Sequence, residues 1–137
     1  MGWLHATPKS EDKTVEPVAR VRQLGSNSIY LEMPKLDDYQ YLIEKWFEFG
    51  LSKVGGMQVV PMEWPDMAAY NRHDELDRWE ELQLIKLSKA YVTSLSSGKD
   101  RNASAPFCSD PEIEAVQIAD KVTAQVQQLI ARQKNRR

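Results

Sequence analysis

Between Asp74 and Ser96 the chain carries apolar side chains on two sides of one predicted helix. Leu76, Trp79, Leu84, Leu87, Ala90, Tyr91 and Leu95 share a broad face, and Leu82, Ile85 and Val92 form a second stripe. A helix that must hide two sides is covered by neighbours on both, so it is expected at the centre of the fold. Its neighbours must come from the rest of 137 residues, a length that suits one domain and can bury a core without disulfides or metals.

A first covering helix is predicted from Asp37-Asp38, whose carboxylates suit a helix N-terminus. Tyr39, Leu42, Ile43, Trp46 and Phe47 follow at helical intervals, and Gly55-Gly56 stops any continuation. Glu63 to Tyr70 reads as a turn entering a short helix, with Pro65 in its first turn. A last helix starts at Pro111, capped by Ser109 or Asp110, with Ala115, Ala119, Val122, Val126 and Leu129 stepping along one side and Ile118 and Ile130 widening the stripe. The expected fold is all-α: a small bundle of about four helices with an extended N-terminal arm. The arm covers residues 1–34, extended or partly disordered. The helical core covers 35–97, a polar linker 98–110, and the C-terminal amphipathic helix 111–137. Within the arm only Ser28 to Met33 alternates, as an edge strand or as an extended strap on the domain. Trp64, Trp79 and Tyr91 are expected in the core, because aromatic side chains anchor small folds.

The net charge of −2 gives no global attraction to nucleic acid or to anionic lipid. No apolar run approaches the roughly 18 residues of a membrane span, and the N-terminus does not read as a secretory signal. The single cysteine, Cys108, cannot close an internal disulfide. Together these make a cytoplasmic chain the simplest expectation.

Groups for chemistry are sparse. His73 beside Asp74 and Asp77 is either a proton-sharing pair or a solvated helix entry. Cys108 has no nearby cysteine or histidine for zinc. Gly55-Gly56 lacks the remainder of a phosphate-binding loop. Asp37-Asp38 and Glu80-Glu81 are adjacent, so on a helix they diverge by about 100° and do not share a proton. No enzyme activity, metal or cofactor is expected. The basic end, Arg132 to Arg137, either contacts nucleic acid or complements the helix dipole. The stripe of the last helix packs on its own domain or enters a partner's groove. The residues expected to bind a partner are Ile29 and Tyr30 in the arm, and Ile118, Val122, Val126, Leu129, Arg132, Arg136 and Arg137 in the last helix.

Val60 to Asn71, with the Trp64-Pro65 turn, followed by Leu76-Asp77-Arg78-Trp79-Glu80, Leu84, Leu87 and Ala90-Tyr91, resembles the downstream tail assembly chaperones of long-tailed bacteriophages. Met1 to Ser10 is also similar to the start of members of that group. The likeness covers roughly residues 33–95 and the first ten. Tyr70 stands where the family often has tryptophan, and the helix from Pro111 is longer than the family pattern. The resemblance implies a chaperone without catalysis or cofactor that acts in the bacterial host cytoplasm. It implies binding to tape-measure and tail tube proteins, an upstream chaperone to which the chain is often fused by a programmed frameshift, and departure before the tail is finished. The alternative is a small helical phage DNA-packaging or DNA-binding regulatory protein, suggested by the basic C-terminus.

Overall fold

The structure, a computed structural model, describes residues 1–9, 16–72, 75–107 and, between 112 and 127, positions 112–113, 115–116, 118–120, 122–123 and 126–127. The elements run α1 (Gly2–His5), α2 (Arg20–Gln23), a 3₁₀ turn at Ile29–Leu31, a second at Asp37–Tyr39, α3 (Gln40–Phe49), β1 (Lys53–Gly55), β2 (Gln58–Val60), α4 (Trp64–Tyr70) and α5 (Arg78–Ser97). The fold is mostly helical, but it is not all-α, because β1 and β2 pair as an antiparallel hairpin.

The long helix is central, as its two apolar stripes require. Asp77 opens it with a reciprocal cap: its Oδ1 accepts from the Glu80 amide at 2.8 Å, and its own amide donates to Glu80 Oε2 at 2.9 Å. Glu63 and Asp66 cap α4 in the same manner. The core joins Leu42, Trp46 and Phe49 of α3, Met67 of α4, and Leu84 and Ile85 of α5. Leu84 and Ile85 come from the two different stripes, so the buried ridge of α5 runs between them. Trp46 meets Tyr91 edge-on at 5.9 Å, and Phe49 meets Tyr70 at 5.3 Å.

The hairpin occupies the stretch read from sequence only as a turn. Gly56 has φ +66°, while Met57 is outside the left-handed region, the combination a type II′ two-residue loop uses. Val54 faces Val59 across the pair. Ser88, fully buried in α5, holds both ends of this excursion. Its hydroxyl accepts from the Met62 amide at 2.8 Å and donates to the Leu51 carbonyl at 2.8 Å. Ser88→Ala strands both backbone groups. It is expected to cost about 1–3 kcal/mol in chemical denaturation, more than loss of one hydroxyl in water contact.

Two of the predicted core tryptophans are not core. Trp79 is 46% exposed and leans on Tyr39 at 5.9 Å, and Trp64 is exposed under the Arg78 guanidinium at 3.9 Å. Trp79 precedes the Leu84–Ser88 ridge by more than a turn, where the 3₁₀ turn before α3 supplies Tyr39 rather than a covering layer. Tyr91 is half-buried against the core.

The arm also departs from expectation, since its first residues are neither extended nor loose. Gly2–His5 is a helical turn, with Leu4 and Ala6 buried. A side chain on Gly2 would place Cβ 2.4 Å from the Tyr91 carbonyl oxygen, so glycine lets the turn lie directly on the α5 backbone. Ile29 and Tyr30 form a 3₁₀ turn, neither an edge strand nor a strap. The Ser28 side chain accepts from the Tyr30 amide, a local bond that competes with strand pairing.

Candidate functional site

The residues that follow α5 and those of the arm fasten to one another and make one wall of a cleft. Trp3 reaches the residues beyond the end of α5. Its Nε1 donates to the Ala103 carbonyl at 2.9 Å, and its ring lies 5.7 Å from that of Tyr30. Arg20 closes the other side: its Nη2 donates to the Gly98 carbonyl at 2.8 Å and to that of Asp100, and the guanidinium sits 4.7 Å from the Trp3 ring centroid. Its buried Nε has no hydrogen-bond partner, and the Trp3 ring face offsets part of that loss. Burial lowers the Arg20 pKa while Asp100 opposes the shift, and a guanidinium remains charged at neutral pH all the same.

Across from this wall stand Ile118 and Val122. The described positions from 112 to 127 are helical, and Thr123 Oγ1 donates to the Ala119 carbonyl at 2.9 Å, one turn back. Ile118 and Val122 line an open cleft of about 670 Å³ together with Trp3, Leu24, Tyr30, Arg20 and Arg101. Three of the expected partner-binding residues, Tyr30, Ile118 and Val122, therefore line one cleft, and Ile29 is in the same turn as Tyr30. The described apolar members of the stripe are half exposed: Ile118 is 50%, Val122 53% and Val126 48% exposed. Val126 is not among the lining residues, and Leu129, Arg132, Arg136 and Arg137 lie outside the described residues. So do His73, Asp74 and Cys108.

The arm's attachment includes a titratable pair. His5 Nδ1 and the Tyr91 hydroxyl share a hydrogen bond of 2.9 Å. Burial first, then the nearby N-terminal ammonium, holds His5 below its ordinary value, and burial does the same to the Met1 amine. Burial raises the Tyr91 pKa, so that hydroxyl stays protonated and can donate to a neutral ring. Both depressed groups are bases that the folded state prefers neutral. The contribution of His5 is whole above its unfolded value of about 6.5 and is lost as pH falls through its lower folded value. Melting between pH 7.5 and 5 is expected to show this loss, and His5→Gln should flatten that part of the profile.

The cleft can hold a polypeptide segment. Its lining is mixed: Trp3, Leu24, Tyr30, Ile118 and Val122 would cover nonpolar side chains, and Gln23, Asn102 and Ser104 would meet polar groups. Among the described residues no group of three His, Cys, Asp or Glu stands where a metal could be held, and no described helix is long and apolar enough to cross a membrane. Sequence reasoning missed a second exposed apolar feature, the hairpin tip with Val54 and Met57. The signal was there: Val54 and Val59-Val60 are β-branched residues flanking a short glycine turn. No family model, curated protein or solved structure matches the chain.

Proposed function

We propose that this chain binds another polypeptide and serves as a phage tail assembly chaperone in the host cytoplasm, holding tape-measure or tail tube protein while the tail is built. One observation supports the binding role above others: Ile118, Val122 and Val126 stand about half exposed on one side of a helix, beside a cleft already walled by Trp3 and Tyr30. A contiguous apolar strip of this kind is more often an interaction site than idle surface. The resemblance supplies the client. A tape measure is a long helical chain with apolar stripes, and a helix laid in a groove buries such a stripe without any reaction. The upstream chaperone, free or fused to this chain, is a further partner in this reading, and neither cofactor nor nucleic acid has a role in it.

Co-expression of the tagged chain with tape-measure and tube proteins tests the proposal. Tyr30→Ala and Ile118→Glu are expected to weaken capture at least about tenfold with helicity unchanged, the scale of a lost interface anchor. Stoichiometric presence of the chain in purified mature tails would refute the chaperone role. A steeply salt-dependent shift of DNA would favour a packaging or regulatory protein instead.

A further inference from the structure

The hairpin leaves strand chemistry unused at one of its edges. Gly55 and Gln58 flank the two-residue loop and form the hydrogen-bonded closing pair, so the next pair, Val54 and Val59, is a non-bonded one. The N–H and C=O of each turn outward, those of Val54 to one edge and those of Val59 to the other. No described hydrogen bond engages either group of Val59. Beside Val59 lies a second open cleft, of about 450 Å³, lined by Met57, Gln58 and Val59 and by Val92, Leu95, Ser96 and Lys99. A cleft over a face of the hairpin would draw on both strands. This one takes residues from β2 and the loop alone, so it borders the free edge of β2. Val59 is 43% exposed and Met57 wholly so. The charge around the cleft has one sign. Past Glu81, α5 holds Lys86 and Lys89 and no acid, and Lys99 follows it. Lys89 shares a helical row with Ser96, seven residues on. It stands more than two turns before the end of α5, where the helix dipole gives a cation no advantage. None of these three lysines joins a described ion pair.

We infer that the free edge of β2 accepts an extended segment of another polypeptide as a third strand, one that alternates apolar side chains and carries a carboxylate for Lys99 and Lys89. Val59 exchanges its N–H and C=O with one residue of that segment, as strand addition to an open edge requires. Pro61 has no N–H to offer and ends the edge. So short an edge supplies few backbone bonds, and preference for one segment over another comes from what surrounds it. Val92 and Leu95 receive apolar side chains, and the lysines select the acid. A second copy of the chain is a poorer occupant: from Val54 to Met62 it has no charged residue, and its own α5 would bring lysines to lysines. No residue lines both this cleft and the one at Trp3, so the inference stands apart from the chaperone reading.

Selection of a displayed random decapeptide library on the immobilised full-length chain tests it. The strongest peptides are then labelled and titrated by fluorescence polarisation. They are expected to alternate apolar residues and to carry Asp or Glu. Val59→Pro should weaken them at least about tenfold, the scale of one lost hydrogen bond. That proline removes an N–H that makes no bond inside the hairpin, so the melting temperature is expected to hold. Lys99→Glu should weaken them as much, and it leaves intact the backbone carbonyl that accepts from the Lys9 amide. Tyr30→Ala, in the other cleft, should change nothing. Methylating alternate backbone nitrogens of the peptide should abolish binding in one of the two alternating sets and spare it in the other, because only one set faces β2. Equal binding to the wild type, Val59→Pro and Lys99→Glu overturns the proposal. So does equal binding of the two methylated peptides, or no peptide that binds below about 1 mM. A wild-type dimer that Val59→Pro disperses would give the edge to a second copy and overturn it as well.

Discussion

Trp46→Ala is expected to remove about 3–5 kcal/mol and with it most of the cooperative unfolding transition. Trp46 is 4% exposed, and it is the residue through which α3 meets Tyr91 of α5. Its removal opens a cavity between the two elements that carry most of the core. Trp79→Ala, by contrast, should cost only about 0.5–1.5 kcal/mol, the scale of one aromatic pair, because Trp79 loses little beyond its contact with Tyr39. Denaturant titration of both variants decides the matter, and equal losses would show that the start of α5 is packed far more closely than described. Trp46→Phe is a useful third variant. The Trp46 Nε1 is buried without a hydrogen-bond partner, so the smaller ring gives up volume but also relieves an unsatisfied donor. It should fall well short of the alanine loss.

The second large effect is expected at Gly2. Any Cβ there meets the Tyr91 carbonyl oxygen at 2.4 Å and the Leu95 amide nitrogen at 2.9 Å, both backbone atoms of a long helix that cannot yield. Gly2→Val should therefore lift α1 off α5 and cost roughly 1–3 kcal/mol, the usual range for overpacking. The loss has a distinctive local signature. Amide exchange should rise at Ala6, whose N–H bonds to Gly2 and Trp3, and at Arg20, whose N–H bonds to Ala6. The Trp3 wall of the cleft would go with it, so partner capture should fall alongside stability. Gly25→Ala is the matched control, because nothing lies within 4 Å of a Cβ at that position. If Gly2→Val melts like the control, the arm does not dock as described.

What could be read from the chain was whatever repeats at the helical period. The central position of α5, the α3 face with Leu42 and Trp46, and the α4 entry at Pro65 all rest on local spacing and helix-entry chemistry, which a linear sequence displays. The hairpin was harder, since three-residue strands carry too few alternating positions to register as a pattern, and what secures it is Ser88, a polar residue contributed by a helix 26 positions beyond Met62.

Periodicity states which side of a helix is apolar, and in α3 it matched the buried side only in part: Leu42 and Trp46 are buried, but Phe47 is 50% exposed while Phe49, off the predicted spacing, is buried. It does not state which part of that side finds a neighbour. Trp46 and Trp79 have the same side chain and each was expected on the apolar face of its helix, and only the meeting of α3, α4 and α5 buried one and left the other at the edge. The arm was decided at the same level. Gly2, Trp3 and Arg20 look unremarkable in a polar, proline-containing stretch, and they acquire partners only when α5 and residues 98–103 are brought beside them. Burial is a property of two surfaces, and a sequence displays only one at a time.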